Sequence, residues 1–271
     1  MIRALRRVAA LPGIRNVLRG RRIEPIVATV LRASPVRRLD IFLARELRPP
    51  RDPACYRLRG SGARVFVRHR TPDVAALGEV FYEHHYEPPS SVNEALSRLG
   101  AQPRILDLGA NVGLFGVFAM VRFPGSELTA VEPDPANLRL LDLTMKANGW
   151  RWNVIEAAAT NADGRVSFAP GRFTTSRIEP GGEPVVAVDA LALLEQADLA
   201  KVDIEGGEWS ILGDDRLAAA TAAALVLEYH SHLCPTPDPG GYATARLTSA
   251  GYEVERTIEF APDHGLLWAW R

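Results

Sequence analysis

The segment ILDLGANVGLFGVF, residues 105–118, constrains this chain more than any other. A short apolar run meets two glycines and passes at once into a second apolar run with helical spacing. A strand that turns this tightly into a helix needs backbone freedom at the turn, which Gly109 and Gly113 provide. The same alternation continues downstream. ELTAVEPD, WNVIEAAAT, AKVDIEGG and AALVLEYHSH read as strands, separated by the helical stretches PANLRLLDLTMKANG, ALALLEQAD and EWSILGDDRLAAAT. Strands alternating with helices predict an α/β fold with a mostly parallel sheet covered on both faces. The closing pair, YEVERTIEF and GLLWAWR, joined by APDH, predicts a hairpin that adds an antiparallel edge. DGRVSFAP reads as an excursion hairpin, and FTTSRIEPGGEP as a polar loop in which Arg172, Thr175 and Ser176 face a bound substrate.

The texture changes near residues 99–104, so the boundary is expected there. Residues 1–100 form an Arg-rich helical and hairpin extension that caps the active site, and residues 101–271 form the catalytic domain. Within the extension, CYRLRGSGARVFVRHR reads as a hairpin around Gly60-Ser61-Gly62, and VFYEHHYEPPSSVNEALSRLG as a helix, a Pro88-Pro89 break and a second helix. Charge divides along the chain in the same sense. The 32 Lys+Arg balance 32 Asp+Glu, yet residues 1–60 carry 15 Arg against 4 acids, leaving −11 on the other 211 residues. The basic segment lacks zinc-ligand spacing, an RNA-binding strand motif and interleaved aromatics, which argues against nucleic acid. Packing or homodimerisation suits its mixed apolar and Arg faces better. Two cysteines, Cys55 and Cys234, make neither a disulfide framework nor a four-ligand zinc site, as expected of a cytoplasmic protein. No apolar run reaches the length of a membrane span.

Two acids end the first two strands of the alternating region. Asp107 stands at a strand tip before the glycine turn, and Glu132 follows twenty-five residues later at the next tip. The spacing D-x-G-x-N-x-G differs from the dinucleotide fingerprint, and its carboxylate would repel a pyrophosphate. An acid at the second tip can accept both ribose hydroxyls. An adenosine bearing a cationic sulfonium amino acid satisfies both acids.

At the fourth strand tip, LAKVDIEGGEWSIL gathers Lys201, Asp203, Glu205, Glu208 and Trp209 around Gly206-Gly207, outside the carboxyl ends of the strands where open α/β sheets bind ligands. Lys201 there can also serve only to neutralise a carboxylate. The fifth tip offers Glu228, His230 and His232 in alternation, which predicts a common face. His230, assisted by Asp203 or Glu205, is the expected general base. Asp203, Glu205, Glu228 and His230 also hold the donors for a divalent ion, although no metal is predicted.

These motifs together, ILDLGANVG, VEPDPANLRLL, VDAL and KVDIEGGEWSIL, resemble the FkbM family of S-adenosylmethionine-dependent methyltransferases over roughly Thr71 to Ala269. The resemblance implies a class I methyltransferase-like, Rossmann-like fold: a seven-stranded, mostly parallel sheet with one antiparallel strand. It implies O-methylation of a hydroxyl on a small metabolite or sugar, with S-adenosylmethionine as cofactor, in secondary metabolism. Under it, Asp107, Gly109, Ala110, Asn111 and Gly113 shape the methionine end of the cofactor, and Glu132 takes the ribose. Pro133, Asp134, Asn137, Ala157 and Ala158 shape the adenine side. Tyr86, from a segment folding over the cofactor mouth, reaches the methionine carboxylate or the acceptor. Lys201, Asp203, Glu205 and His230 carry the catalysis, with Asp203 also touching the cofactor. N-methylation of an amino sugar or peptide, and a non-catalytic binding module, are the competing readings.

Overall fold

The computed structural model describes residues 24–47, 53–170, 177–261 and 263–271. Residues 1–23 and 48–52 of the Arg-rich start, and the loop positions Arg172, Thr175 and Ser176, lie outside them. The chain divides into two compact units, Met1–His84 and His85–Arg271.

The first unit holds helices α1 (Glu24–Arg32) and α2 (Leu39–Glu46), the strands β1 (Pro53–Arg57) and β2 (Arg64–Arg68), and helix α3 (Asp73–Phe81). β1 and β2 form the expected antiparallel hairpin, from Pro53 opposite Arg68 to Arg57 opposite Arg64. Alternation buries Ala54 and Tyr56 on one strand and Val65 and Val67 on the other. Arg68 closes a buried two-point bridge on Asp73 at 2.8 and 2.9 Å. His69 links the Tyr56 hydroxyl to the Glu46 carboxylate beneath Phe42. Some of the arginine excess serves this local fold. Arg59 donates to the carbonyls of Ser34, Val36 and Arg37, clamping the α1–α2 connection to the hairpin.

The second unit begins with helix α4 (Ser90–Ser97) and then alternates. Its elements are β3 (Arg104–Leu108), α5 (Leu114–Arg122), β4 (Glu127–Val131), α6 (Pro135–Asn148), β5 (Asn153–Ile155) and β6 (Ala158–Thr160). They continue with β7 (Gly164–Ala169), β8 (Arg177–Ile178), β9 (Glu183–Asp189), α7 (Ala190–Leu194), β10 (Leu199–Val202) and α8 (Glu208–Leu212). A 3-10 turn (Asp215–Ala219), β11 (Ala224–Tyr229), α9 (Pro239–Ser249), β12 (Glu253–Ala261) and β13 (His264–Trp270) complete it.

The main sheet is mixed, with seven strands in the order β12-β13-β11-β10-β3-β4-β5. β13 runs antiparallel to both its neighbours, β11 and β12, and the remaining pairings are parallel. All four residues of β10 are buried, as expected of a central parallel strand covered on both faces. Strand order departs in opposite directions from β3 and β10, so their carboxyl ends flank the switch point at which open α/β sheets bind ligands.

One expected strand divides. WNVIEAAAT is broken after Ile155, where the Ala157 N–H turns back onto the Ile155 carbonyl. β5 stays in the main sheet, and β6 joins a second sheet of order β6-β9-β7-β8. Alternation could not show this break, because both halves are apolar.

Candidate active site

The glycine turn is built by close backbone approach. Gly109 has φ +79°, and a Cβ there would collide with the carbonyl oxygen of Asp203 on the neighbouring strand tip. Its N–H and that of Ala110 both donate to the Val131 carbonyl, which ties the turn to β4. Asn111 takes a left-handed φ of 49°, a conformation asparagine tolerates better than most residues. Gly113, at φ +85°, opens α5 with its face against Trp152. Neither Asp107 oxygen, nor Asn111 Oδ1, finds a hydrogen-bond partner among the described residues, although all are buried.

Glu132 knits the two tips together. One oxygen accepts from the Asn111 N–H at 2.7 Å, and the other accepts from the Asp134 N–H at 2.8 Å and Asn137 Nδ2 at 3.2 Å. Burial pushes its carboxyl up to about 7, against the pull of these donors. A carboxylate has about four acceptor positions, so these three bonds leave capacity for a ligand hydroxyl. Asp134 itself caps α6, accepting from the Ala136 N–H at 2.8 Å, with Pro135 in the first helical turn. Ala157 and Ala158 are buried at the break between β5 and β6.

Lys201 lies opposite Asp107 in the β3–β10 register. Its Nζ is 3.3 Å from Asp107 and 3.2 Å from Asp203, and it donates to the Gly109 carbonyl at 3.0 Å. Burial works against the ammonium, but Asp203, Asp107 and Glu228 outweigh it and hold Lys201 above its ordinary value. Burial likewise raises Asp107 and Asp203, with Lys201 opposing the rise in each.

β10 ends at Val202, and the chain then turns through Glu205 (φ 53°) and Gly206 (φ 99°). Extended alternation therefore stops at Asp203, and the Gly206-Gly207 turn carries Glu205 toward the fifth strand. Glu205 Oε2 lies 3.7 Å from His230 Nε2. Glu208, fully buried, accepts from both the backbone N–H and Nδ1 of His230, at 3.0 and 3.1 Å, and from the Gly206 N–H at 2.7 Å. Burial opposes the charge on His230, but Glu208 and then Asp203 and Glu205 push the ring up to about 10. An imidazole so held carries a proton at neutral pH, which removes the ground for expecting it to accept one. Burial raises Glu205 to about 7, helped by Asp203.

Glu228 joins the group from β11. It accepts from the Tyr86 hydroxyl at 3.1 Å and from His264 Nε2 at 2.9 Å, and its Oε1 is 3.8 Å from His230 Nε2. Burial acts against the charge, but His264, His230 and Lys201 keep Glu228 below its ordinary value. The structure thus brings Asp107, Lys201, Asp203, Glu205, Glu228, His230 and Tyr86 into one region. His232 lies beside it, against the Gly206 turn. β11 ends at Tyr229, so alternation does not extend to His232, whose carbonyl accepts from Trp209 Nε1 at 2.8 Å. The sequence places Glu208 at this tip without giving it a role, whereas His264 lies in a segment that reads only as a hairpin turn.

The chain is similar to several known proteins. The chain is 26% identical over 234 residues to methyltransferase sdnD of Sordaria araneosa, spanning 68% of this chain and 84% of that protein. Among solved structures, precorrin-6y C5,15-methyltransferase of Geobacter metallireducens superposes with a TM-score of 0.40 at 19% identity, over 66% of this chain and 88% of the other. TYW2 of M. jannaschii, solved in complex with AdoMet, gives a TM-score of 0.39 at 14% identity, over 82% and 87%. The profile described as the methyltransferase FkbM domain matches residues 107–254, more than half of the chain, and the protein is therefore a methyltransferase of the FkbM family.

Proposed function

We propose that the protein is an S-adenosylmethionine-dependent O-methyltransferase of the class I type, acting on a hydroxyl of a small metabolite or sugar in secondary metabolism. The observation that carries this reading is the convergence of Asp107, Lys201 and Asp203 at the two central strand tips, with Glu205 beside them. The residues fit the cofactor. Asn111 Oδ1 is a buried acceptor without a hydrogen-bond partner among the described residues, and Asp107, ion-paired with Lys201, lies at the same glycine turn; both suit the ammonium and sulfonium of a methionine end. Glu132 keeps acceptor capacity for a ribose hydroxyl. Pro133, Asn137, Ala157 and Ala158 are the residues assigned to the adenine.

When bound, the cofactor supplies a methyl group on a cationic sulfur; transfer to oxygen breaks the carbon–sulfur bond and leaves a neutral thioether. The chain holds the reactants in line, which lowers the barrier chiefly through orientation. Asp107 and Asp203 offset the cofactor's positive charge, while Lys201 keeps those carboxylates ionised and fixed. Glu205 has no hydrogen-bond partner among the described residues and takes the proton that the acceptor hydroxyl loses as its oxygen attacks. Tyr86 and Glu228 orient the acceptor, and His230, pinned by Glu208, holds Glu205 in place.

Transfer of label from methyl-labelled S-adenosylmethionine into a metabolite extract tests the reading. A labelled methyl on oxygen, lost in E205Q and D203A proteins that still fold, supports it. A chain that neither binds the cofactor at about millimolar concentration nor transfers label overturns it, and label on nitrogen corrects the acceptor.

A further inference from the structure

Two imidazoles and a carboxylate meet beside the proposed methyl-transfer point in a way that proton transfer alone does not require. His230 Nε2 and His264 Nε2 flank the same oxygen of Glu228, at 3.8 and 2.9 Å, and the two rings stack at 4.8 Å between centroids. One ligand atom from each residue lies within 4.8 Å of the others. His230 Nε2 makes no hydrogen bond among the described residues, although Glu205 and Glu228 oxygens stand 3.7 and 3.8 Å away. The 3.8 Å between His230 and Glu228 exceeds a hydrogen bond and is what donors about 2.1 Å from a shared ion span at an angle of roughly 130°. The 2.9 Å contact of His264 with Glu228 is a hydrogen bond that a shared ion would replace.

The far side of His230 has the second feature of a metal ligand. Its Nδ1–H donates to Glu208, a fully buried carboxylate that also holds the His230 backbone. That contact orients the ring with Nε2 toward Glu228, where a bound ion would displace the proton this nitrogen otherwise carries. A carboxylate behind a ligating imidazole is the usual outer support of a metal site. Nitrogen donors with one carboxylate select a first-row divalent ion over magnesium or calcium.

We infer that Glu228, His230 and His264 form a binding site for a divalent transition-metal ion. Three protein donors leave coordination positions open. There the ion would hold the acceptor hydroxyl and lower its pKa beside Glu205, a role that rests on the methyl-transfer reading, whereas the site itself does not.

Cobalt(II) titration of chelator-treated full-length protein tests the site, followed by visible absorption. One ion per chain is expected, with d–d bands whose intensity reports nitrogen and oxygen donors. H264A and E228Q should each weaken binding at least about tenfold, the scale on which even outer-shell partners act. Circular dichroism checks folding, and H264N replaces H264A should that variant unfold. Absence of bands up to millimolar cobalt, or binding unchanged in both folded variants, overturns the inference. Parallel calorimetry with S-adenosylmethionine in chelator separates the two claims. Cofactor binding without cobalt binding sinks the metal site alone, and cobalt binding without cofactor binding sinks the methyl-transfer reading alone.

Discussion

Glu208 and His230 are joined twice, because a single Glu208 oxygen accepts both the backbone N–H and Nδ1 of His230. The other oxygen accepts the Gly206 N–H. One buried carboxylate therefore locks the turn after β10 to the end of β11, so the fourth and fifth strand tips keep a common geometry. E208A leaves a buried imidazole and a turn N–H without their partner. It should cost about 3–5 kcal/mol in urea unfolding, the scale for breaking a buried ion pair from one side. E208Q keeps the shape and should cost about half of that. Equal stability of E208A and the parent would refute the locking role.

Lys201 is the cation that allows Asp107 and Asp203 to be buried together. K201M keeps the volume but removes the charge, so both carboxylates lose their counter-ion. Unfolding free energy should fall by about 3–5 kcal/mol at pH 7, with recovery at low pH as the carboxylates protonate. A pH-independent loss would point to packing instead.

Gly109 and Gly149 separate strain from collision. Both have positive φ, +79° and +69°, but only at Gly109 would a Cβ meet backbone, while Gly149 faces open space. G149A should cost about 1 kcal/mol, the strain alone. G109A must push the turn off the Asp203 carbonyl. It should cost at least about 2 kcal/mol more and abolish cofactor binding by calorimetry. Comparable effects from the two substitutions would contradict the close approach.

Glu132 gives a pH signature. Its carboxyl is raised from 4.5 to about 7 by burial, so the folded chain holds a proton there that the unfolded chain has already released. Its stabilising contribution is complete below about pH 4.5 and declines as pH rises through about 7, by roughly 3 kcal/mol in all. Ribose hydroxyls donate better to the ionised form, so cofactor affinity should move the opposite way and tighten from pH 6 to pH 8. E132Q should flatten both trends. The readouts are chemical denaturation and calorimetric titration across that range, and a cofactor affinity that weakens with rising pH would reverse the assignment.

Asp73 tests the first unit independently. It bridges Arg68 at two points and accepts the Arg68 N–H while fully buried. D73N keeps the shape but loses charge-assisted bonds of about 1.5–3 kcal/mol each. Loss of hydrogen-exchange protection should be concentrated in β1, β2 and α3. Uniform loss across the chain would show that the bridge supports more than the hairpin.

Sequence alone determined the strand, turn and helix succession, the acids at the first two tips, and the family. These follow from periodicity, from glycines that only a tight turn requires, and from a motif whose residues adjoin in the chain. Ranking the site's groups needed the tertiary fold. Lys201 and Asp107 are 94 residues apart in sequence yet meet in register, and His264 reaches Glu228 only because β13 inserts between β11 and β12. The division of WNVIEAAAT between two sheets escaped notice because both halves are equally apolar. His230 looked like a base as an isolated imidazole beside a carboxylate. Burial among Glu208, Asp203 and Glu205 changes its charge, since electrostatic energy depends on separation in space, which residue spacing does not report.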